Sequence, residues 1–218
     1  MEKIKINTIT NPKTIIEIVN KVNKIEQLKK LNIFIDLLIK YDETGQWIYN
    51  AGFYWRKEAN IDYELFTKLL IEKDKTGEWI YEAGIYWPEE ANIDYELFTK
   101  LLMEKDKTGQ WIYNAGKYWP IEEVDYNLFA EGLIKNDKTG EWIERAGVDW
   151  PEKKVDYDLF FEELIKKDNT GEWIYFVGVN WPQKKIDYEL LSEELKKKDK
   201  TGKWIEKALK DWPVKKFL

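Results

Sequence analysis

The chain has 218 residues, 44% of them apolar and 35% charged, with a net charge of −6. That is enough apolar material for one sizeable core, and aromatic residues at 16% set the chain apart from a disordered polyampholyte. Cysteine and histidine are both absent, which excludes a disulfide framework, a zinc–thiolate site, a thiol nucleophile and the commonest general base.

The first residues, MEKIKINTIT, lack the apolar run of a signal peptide. The most apolar stretch, LNIFIDLLI at 31–39, is interrupted by Asn32 and Asp36 and is too short to span a bilayer. These features predict a soluble, cytoplasmic protein with no membrane partner. Pro12 stands near the start of an expected helix over 13–28, and a second expected helix covers 30–41. Residues 1–41 carry 8 lysines against 4 acids, whereas 42–136 carry 10 basic residues against 19 acidic ones. The acidic middle disfavours a nucleic-acid partner, although the last 35 residues hold 11 lysines against 7 acids.

From residue 42 onward the chain repeats. Tryptophans fall at 47, 55, 79, 87, 111, 119, 142, 150, 173, 181, 204 and 212. Spacing is 8 within each pair and 31 or 32 between pairs, so the chain is an array of supersecondary units. The units are 42–73, 74–105, 106–136, 137–167 and 168–198, with 1–41 as an N-terminal capping pair of helices and 199–218 as a C-terminal half-repeat cap. The first half of each unit reads D-x-T-G-x-W-I-x-x-A-G-x-x-W, and the second reads D-Y-x-L-F followed by x-x-x-L. Pro88, Pro120, Pro151, Pro182 and Pro213 follow the second tryptophan and end what precedes them; the first unit has Arg56 there.

Tryptophan and tyrosine around T-G and A-G also suit aromatic β-hairpin repeats of wall-binding modules. The repeats decide against that. At about 100° per residue, the near-constant positions of Trp47, Ile48, Ala51, Gly52 and Trp55 cover an arc of about 140°. The variable positions of Tyr49, Asn50, Phe53 and Tyr54 fall at about 200–340°, a separate arc. On a strand the constant set would lie on both faces. The first half is therefore predicted as a helix of about eleven residues, with Thr44, Thr76, Thr108, Thr139, Thr170 and Thr201 as N-caps. The second is a helix of about twelve, capped by Asp62, Asp94, Asp125, Asp156 and Asp187. Opposite charges at Lys68–Glu72, Lys100–Glu104, Glu131–Lys135, Glu162–Lys166 and Glu193–Lys197 are spaced to pair along it.

The expected fold is an all-α solenoid of about thirteen helices, in which stacking buries stripes that no single pair can cover. Small residues at Ala51–Gly52 and their equivalents predict that two helix backbones meet there. The last unit has Ala208–Leu209 instead. W-I-Y-x-A-G…W-P…D-Y-x-L-F over 42–212 resembles the short α/α repeats of HEAT-like or tetratricopeptide-like solenoids from bacteria and phages. That resemblance implies architecture and leaves function unassigned; the period is not 34, and the tetratricopeptide Trp–Leu-Gly–Tyr spacing is absent.

No metal, cofactor or catalytic site is expected. D-K-T-G lacks the remainder of a phosphate or calcium loop and reads as a turn and cap. The tryptophans lie on the constant face and read as core rather than as sugar-stacking platforms. The variable face is the candidate site: Tyr49, Phe53 and Tyr54, then Tyr81 and Tyr86, then Tyr113 and Tyr118. It admits two readings, a binding surface for a protein or peptide or a packed inner wall. The leading expectation is a non-enzymatic protein-binding or scaffolding solenoid. The alternatives are a nucleic-acid-binding solenoid and a structural protein that self-associates through its ends. A monomer is favoured over an end-to-end dimer, with Phe217 and Leu218 folding back over the last helix.

Overall fold

The computed structural model describes residues 35–54 and 61–214. The predicted helix over 13–28, the start of that over 30–41, Trp55, Arg56, Phe217 and Leu218 lie outside the described residues. The fold is all-α: a helical segment at 35–41 is followed by eleven helices, and there is no strand among the described residues. The helices are α1 (Gln46–Tyr54), α2 (Tyr63–Lys73), α3 (Glu78–Tyr86), α4 (Tyr95–Lys105), α5 (Gln110–Tyr118), α6 (Tyr126–Asn136), α7 (Glu141–Asp149), α8 (Tyr157–Lys167), α9 (Glu172–Asn180), α10 (Tyr188–Lys198) and α11 (Lys203–Asp211). Odd-numbered helices are the first half of each unit and even-numbered ones the second.

Each helix is slightly shorter than its pattern predicts: nine residues for the odd-numbered and eleven for the even-numbered ones. The missing residues go to the ends. Trp87, Trp119, Trp150 and Trp181 leave the helix in extended conformation, and the proline after each opens a single 3₁₀ turn, such as Glu152–Lys154. At the other end the helix begins only after the glycine of T-G.

That glycine corrects the predicted cap. Gly77 has φ +88, a left-handed conformation that a side chain would strain, and it occupies the N-cap without a side-chain bond. Thr76 contributes one acceptor, taking the Glu78 amide at 3.2 Å. The main anchor is Asp74, three residues before the glycine. Its carboxylate accepts from the amides of Thr76, Gly77 and Ile80 at 2.9–3.0 Å, and from the Thr76 hydroxyl at 3.1 Å. The Asp74 amide in turn donates to the Leu70 carbonyl at 2.8 Å, closing α2. One buried aspartate thus ends one helix and satisfies the orphan amides of the next, where the positive helix end favours its charge. Asp106, Asp137, Asp168 and Asp199 make the same set of bonds.

The even-numbered helices are capped as expected. Asp62, Asp94, Asp125, Asp156 and Asp187 each accept from an amide two or three residues on. Their charge pairs differ from the predicted ones: Lys68 meets Glu64, Lys100 meets Glu96, Lys166 meets Glu163 and Lys197 meets Glu194. The lysine turns toward the helix N-terminus because the Cα–Cβ bonds of a helix tilt that way.

The chain divides into two compact units at Lys105/Asp106, a repeat boundary. In the first, α1 packs on α2 and α3, and α3 on α4. In the second, α5, α7, α9 and α11 stack in sequence, and each even-numbered helix packs against its own odd-numbered partner and the next. The core is periodic: Phe66, Phe98, Phe129 and Phe160 with Leu70, Leu102, Leu133 and Leu164 are fully buried.

The recurrent glycine of A-G has a more specific reason than two backbones meeting. In the second unit the Trp181 indole packs against Gly147, so close that an added Cβ would stand 2.4 Å from the ring. The indole N–H donates to the Glu144 carbonyl at 2.9 Å, and Tyr157 packs edge-on against the ring at 5.2 Å while its hydroxyl donates to the Gly147 carbonyl at 3.0 Å. The same lock joins Gly116, Trp150 and Tyr126, then Gly178, Trp212 and Tyr188, and in the first unit Gly52, Trp87 and Tyr63. Burying each indole contributes about 4–6 kcal/mol by area, an upper figure.

Candidate functional site

The odd-numbered helices carry the predicted site, and the structure splits it by register. Tyr49, Tyr81 and Tyr113 are buried. They line the packed interior rather than present a free face. The helix period put them beyond the constant arc, but within each unit an odd-numbered helix packs on a neighbouring odd-numbered helix as well as on its even-numbered partner. That widens the buried arc to include this position. The ring of Tyr49 packs on Trp79 at 5.5 Å, and that of Tyr113 on Trp142 at 5.4 Å.

In the second unit the residues at this position pair across repeats through the last position of the next odd-numbered helix. The Tyr113 hydroxyl donates to Asp149, which also pairs with Lys117 at 3.0 Å. Tyr175 donates to Asp211 at 2.6 Å. In the intervening repeat the couple is inverted in chemistry: Asn180 donates to the Glu144 carboxylate at 2.9 Å. Burial, then the bond to Asp149, pushes the Tyr113 hydroxyl up to about 12, and burial with Asp211 does the same to Tyr175. Burial also raises the Glu144 carboxyl above its ordinary value, against the opposing bond from Asn180. In the first unit burial, then the nearby Glu82, raises the Tyr49 hydroxyl.

Tyr54, Tyr86 and Tyr118 behave differently. They occupy that same last helical position in repeats one to three and are 41%, 47% and 53% exposed. In the first unit, half-buried Phe53 joins Tyr54 and Tyr86 into one aromatic patch, with ring centroids at 4.8 and 6.1 Å and edge-to-face geometry in both pairs. In the second unit, the Lys117 ammonium lies 5.2 Å from the Tyr118 ring. The seven predicted residues thus resolve into three exposed tyrosines, one half-buried phenylalanine and three buried tyrosines. Sequence reasoning missed the buried Asp of D-x-T-G, although its strict recurrence three residues before the glycine marked it.

No group of three or more metal-ligating side chains occurs among the described residues, and no described helix is long and apolar enough to cross a membrane. The first tryptophan of each pair from 47 to 173 is half-buried against its neighbours, so none is a free stacking platform. The chain is an all-α helical-repeat protein. No protein family, no curated protein and no solved structure matches it.

Proposed function

We propose that the chain is a protein-binding scaffold, a short α/α solenoid of HEAT-like or tetratricopeptide-like type. On this reading it has no catalytic role, acts in the cytoplasm as a monomer, and engages a protein or peptide through Phe53, Tyr54, Tyr86 and Tyr118. One observation supports it above others. At the last position of the odd-numbered helices, repeats four to six carry Asp149, Asn180 and Asp211, and each bonds back to the preceding repeat. Repeats one to three carry tyrosine at that position and leave it about half exposed. The repeat accepts a short polar residue there, so three exposed rings are more than the stack requires. Rigid amphipathic rings are the side chains that binding surfaces favour.

The test borrows the chain's own solution. The variant Tyr54→Asp, Tyr86→Asn, Tyr118→Asp should keep its helical circular dichroism and thermal midpoint. In a pull-down from the source cell it should lose a specific partner that both wild type and an unrelated surface variant, Leu97→Ser, retain. A capture pattern identical to wild type would overturn the proposal.

A further inference from the structure

The second unit contains a groove of about 360 Å³ between α8, the 3₁₀ turn at Gln183–Lys185 and the start of α10. Its floor is aromatic and aliphatic: Tyr157, Phe161, Trp181 and Leu190. Its rim carries Asp158 and Glu162, one helical turn apart on α8. The volume lies at the small end of ligand sites, suited to one or two side chains rather than a large cofactor.

One residue particular to this repeat, and an acid pair beside it, shape the groove. At the position of Phe161 the other repeats have Thr67, Thr99, Ala130 and Ser192, so only repeat four places a ring there. At the positions of Asp158 and Glu162, repeats one and two have Glu64 with Lys68 and Glu96 with Lys100, and both pairs close as ion pairs. Repeats four and five instead place two acids at i and i+4, Asp158 with Glu162 and Glu189 with Glu193, an arrangement that destabilises a helix slightly; repeat four alone sets that pair beside a ring. Lys185, which also lines the groove, holds its ammonium 5.6 Å from the Tyr157 ring centroid, so an incoming cation has the Phe161 side to itself.

We propose that this groove is a second docking site, which takes an arginine side chain and an adjacent apolar side chain from a partner polypeptide. The planar guanidinium stacks on an aromatic floor and bonds carboxylates through its fork, a combination that ammonium lacks. Asp158 and Glu162 supply the carboxylates and half-buried Phe161 the face; the Tyr157 ring is itself buried. Leu190, 41% exposed, receives the apolar neighbour. The acidic rim repels phosphate, so a nucleic acid is not the occupant. The site lies in a different repeat from the tyrosine surface and stands or falls without it.

The probes are two peptides, acetyl-Ala-Leu-Arg-Leu-Ala-amide and its Arg→Glu counterpart, titrated into the isotope-labelled protein and followed by amide NMR shifts. The arginine peptide should give saturable shifts centred on Phe161, Glu162, Ile186 and Leu190, weakened by salt, and the glutamate peptide none. The double variant Asp158→Asn, Glu162→Gln should lower the affinity by about five-fold or more. Phe161→Ala, which installs the residue repeat three already carries as Ala130, should weaken it comparably while preserving the fold. The Tyr54, Tyr86 and Tyr118 variant should bind the peptide as wild type does. Absent or non-saturating shifts, equal binding of the glutamate peptide, or undiminished affinity in a folded Asp158→Asn, Glu162→Gln protein would overturn the proposal. Should either variant fail to fold, the comparison of the two peptides on the wild-type protein decides alone.

Discussion

Gly147→Ala tests the lock between repeats. In an exposed helix this change is favourable by about 1 kcal/mol, because glycine has the greater backbone entropy to lose. Here the added Cβ would stand 2.4 Å from the Trp181 ring, whereas carbon atoms rest at about 3.5–4.0 Å. The ring must therefore retreat by roughly 1 Å. It cannot do so freely, since it is 3% exposed, bonded to the Glu144 carbonyl and wedged against Tyr157. Overpacking of this kind costs about 1–3 kcal/mol, which offsets the helix gain and leaves a net loss on the order of 1 kcal/mol. The sign depends on the indole, so a double-mutant cycle isolates it. In a Trp181→Ala background the same Gly147→Ala change should become stabilising, by about 0.5–1 kcal/mol. Urea titrations followed by far-ultraviolet circular dichroism give all four stabilities. If Gly147→Ala stabilised the wild-type protein, or had the same effect in both backgrounds, the lock would be refuted.

Trp150→Ala, which empties a buried site and leaves the Tyr113 carbonyl without its donor, should cost about 3–5 kcal/mol in the same assay, with Tyr118→Ser near neutral. Asp137→Ala removes the acceptor for the Thr139, Gly140 and Ile143 amides at the start of α7 and should cost at least about 2 kcal/mol, seen as a lowered thermal midpoint. Glu144 gives a pH dependence. Its folded value lies above the unfolded one, so its protonated form is favoured by folding and its contribution is lost as pH rises through the folded value. Glu144→Gln keeps an acceptor for Asn180 and should raise the midpoint at pH 7 while changing it little near pH 4; equal effects at both would refute the assignment.

The fold was legible because the repeats act as substitutions within one chain. Constancy at Trp47, Ile48, Ala51 and Gly52 against variation at Asn50, Phe53 and Tyr54 separates buried from exposed positions at the helical period. Helix, proline corner and aspartate cap follow from that and from turn chemistry. The candidate site was legible only in part. Tyr49 and Glu144 occupy one repeat position and differ in type, which reads as a free surface. Both are nevertheless buried, because hydroxyl and carboxylate each find a partner in the next repeat. Variation marks exposure only where no compensating partner varies too, and the partners Asp149 and Asn180 lie 36 residues away from Tyr113 and Glu144. Asp74 was undervalued for a local reason. Its bonds to the Gly77 and Ile80 amides depend on a left-handed glycine, and the letters D-K-T-G do not state that geometry.

The same lock predicts where the array can grow. Position 209 holds leucine where Gly116, Gly147 and Gly178 each receive an indole, and Leu209 is 45% exposed. Its side chain fills the slot that the tryptophan of a following repeat would need. Gly202 has no atom within 4 Å of an added Cβ among the described residues, whereas Gly140 and Gly171 meet Leu164 and Leu195 in the second helix of their own repeats. Inserting a second copy of 168–198 after Lys198 presents Gly178 to the new indole and preserves every contact of α11. Stability in a repeat array is close to a sum over units and their interfaces, so this insertion should raise the urea midpoint. Appending residues 183–198 and then 168–198 after Pro213 supplies the second helix that this half-repeat lacks and brings the new indole to Leu209, and the added repeat should melt separately at a lower midpoint. Leu209→Gly in the appended protein should restore a single cooperative transition, despite losing about 1 kcal/mol of helix propensity. If the appended copy joined the main transition with Leu209 in place, closure of the array by this residue would be wrong, and the indole slot would not be what couples one repeat to the next.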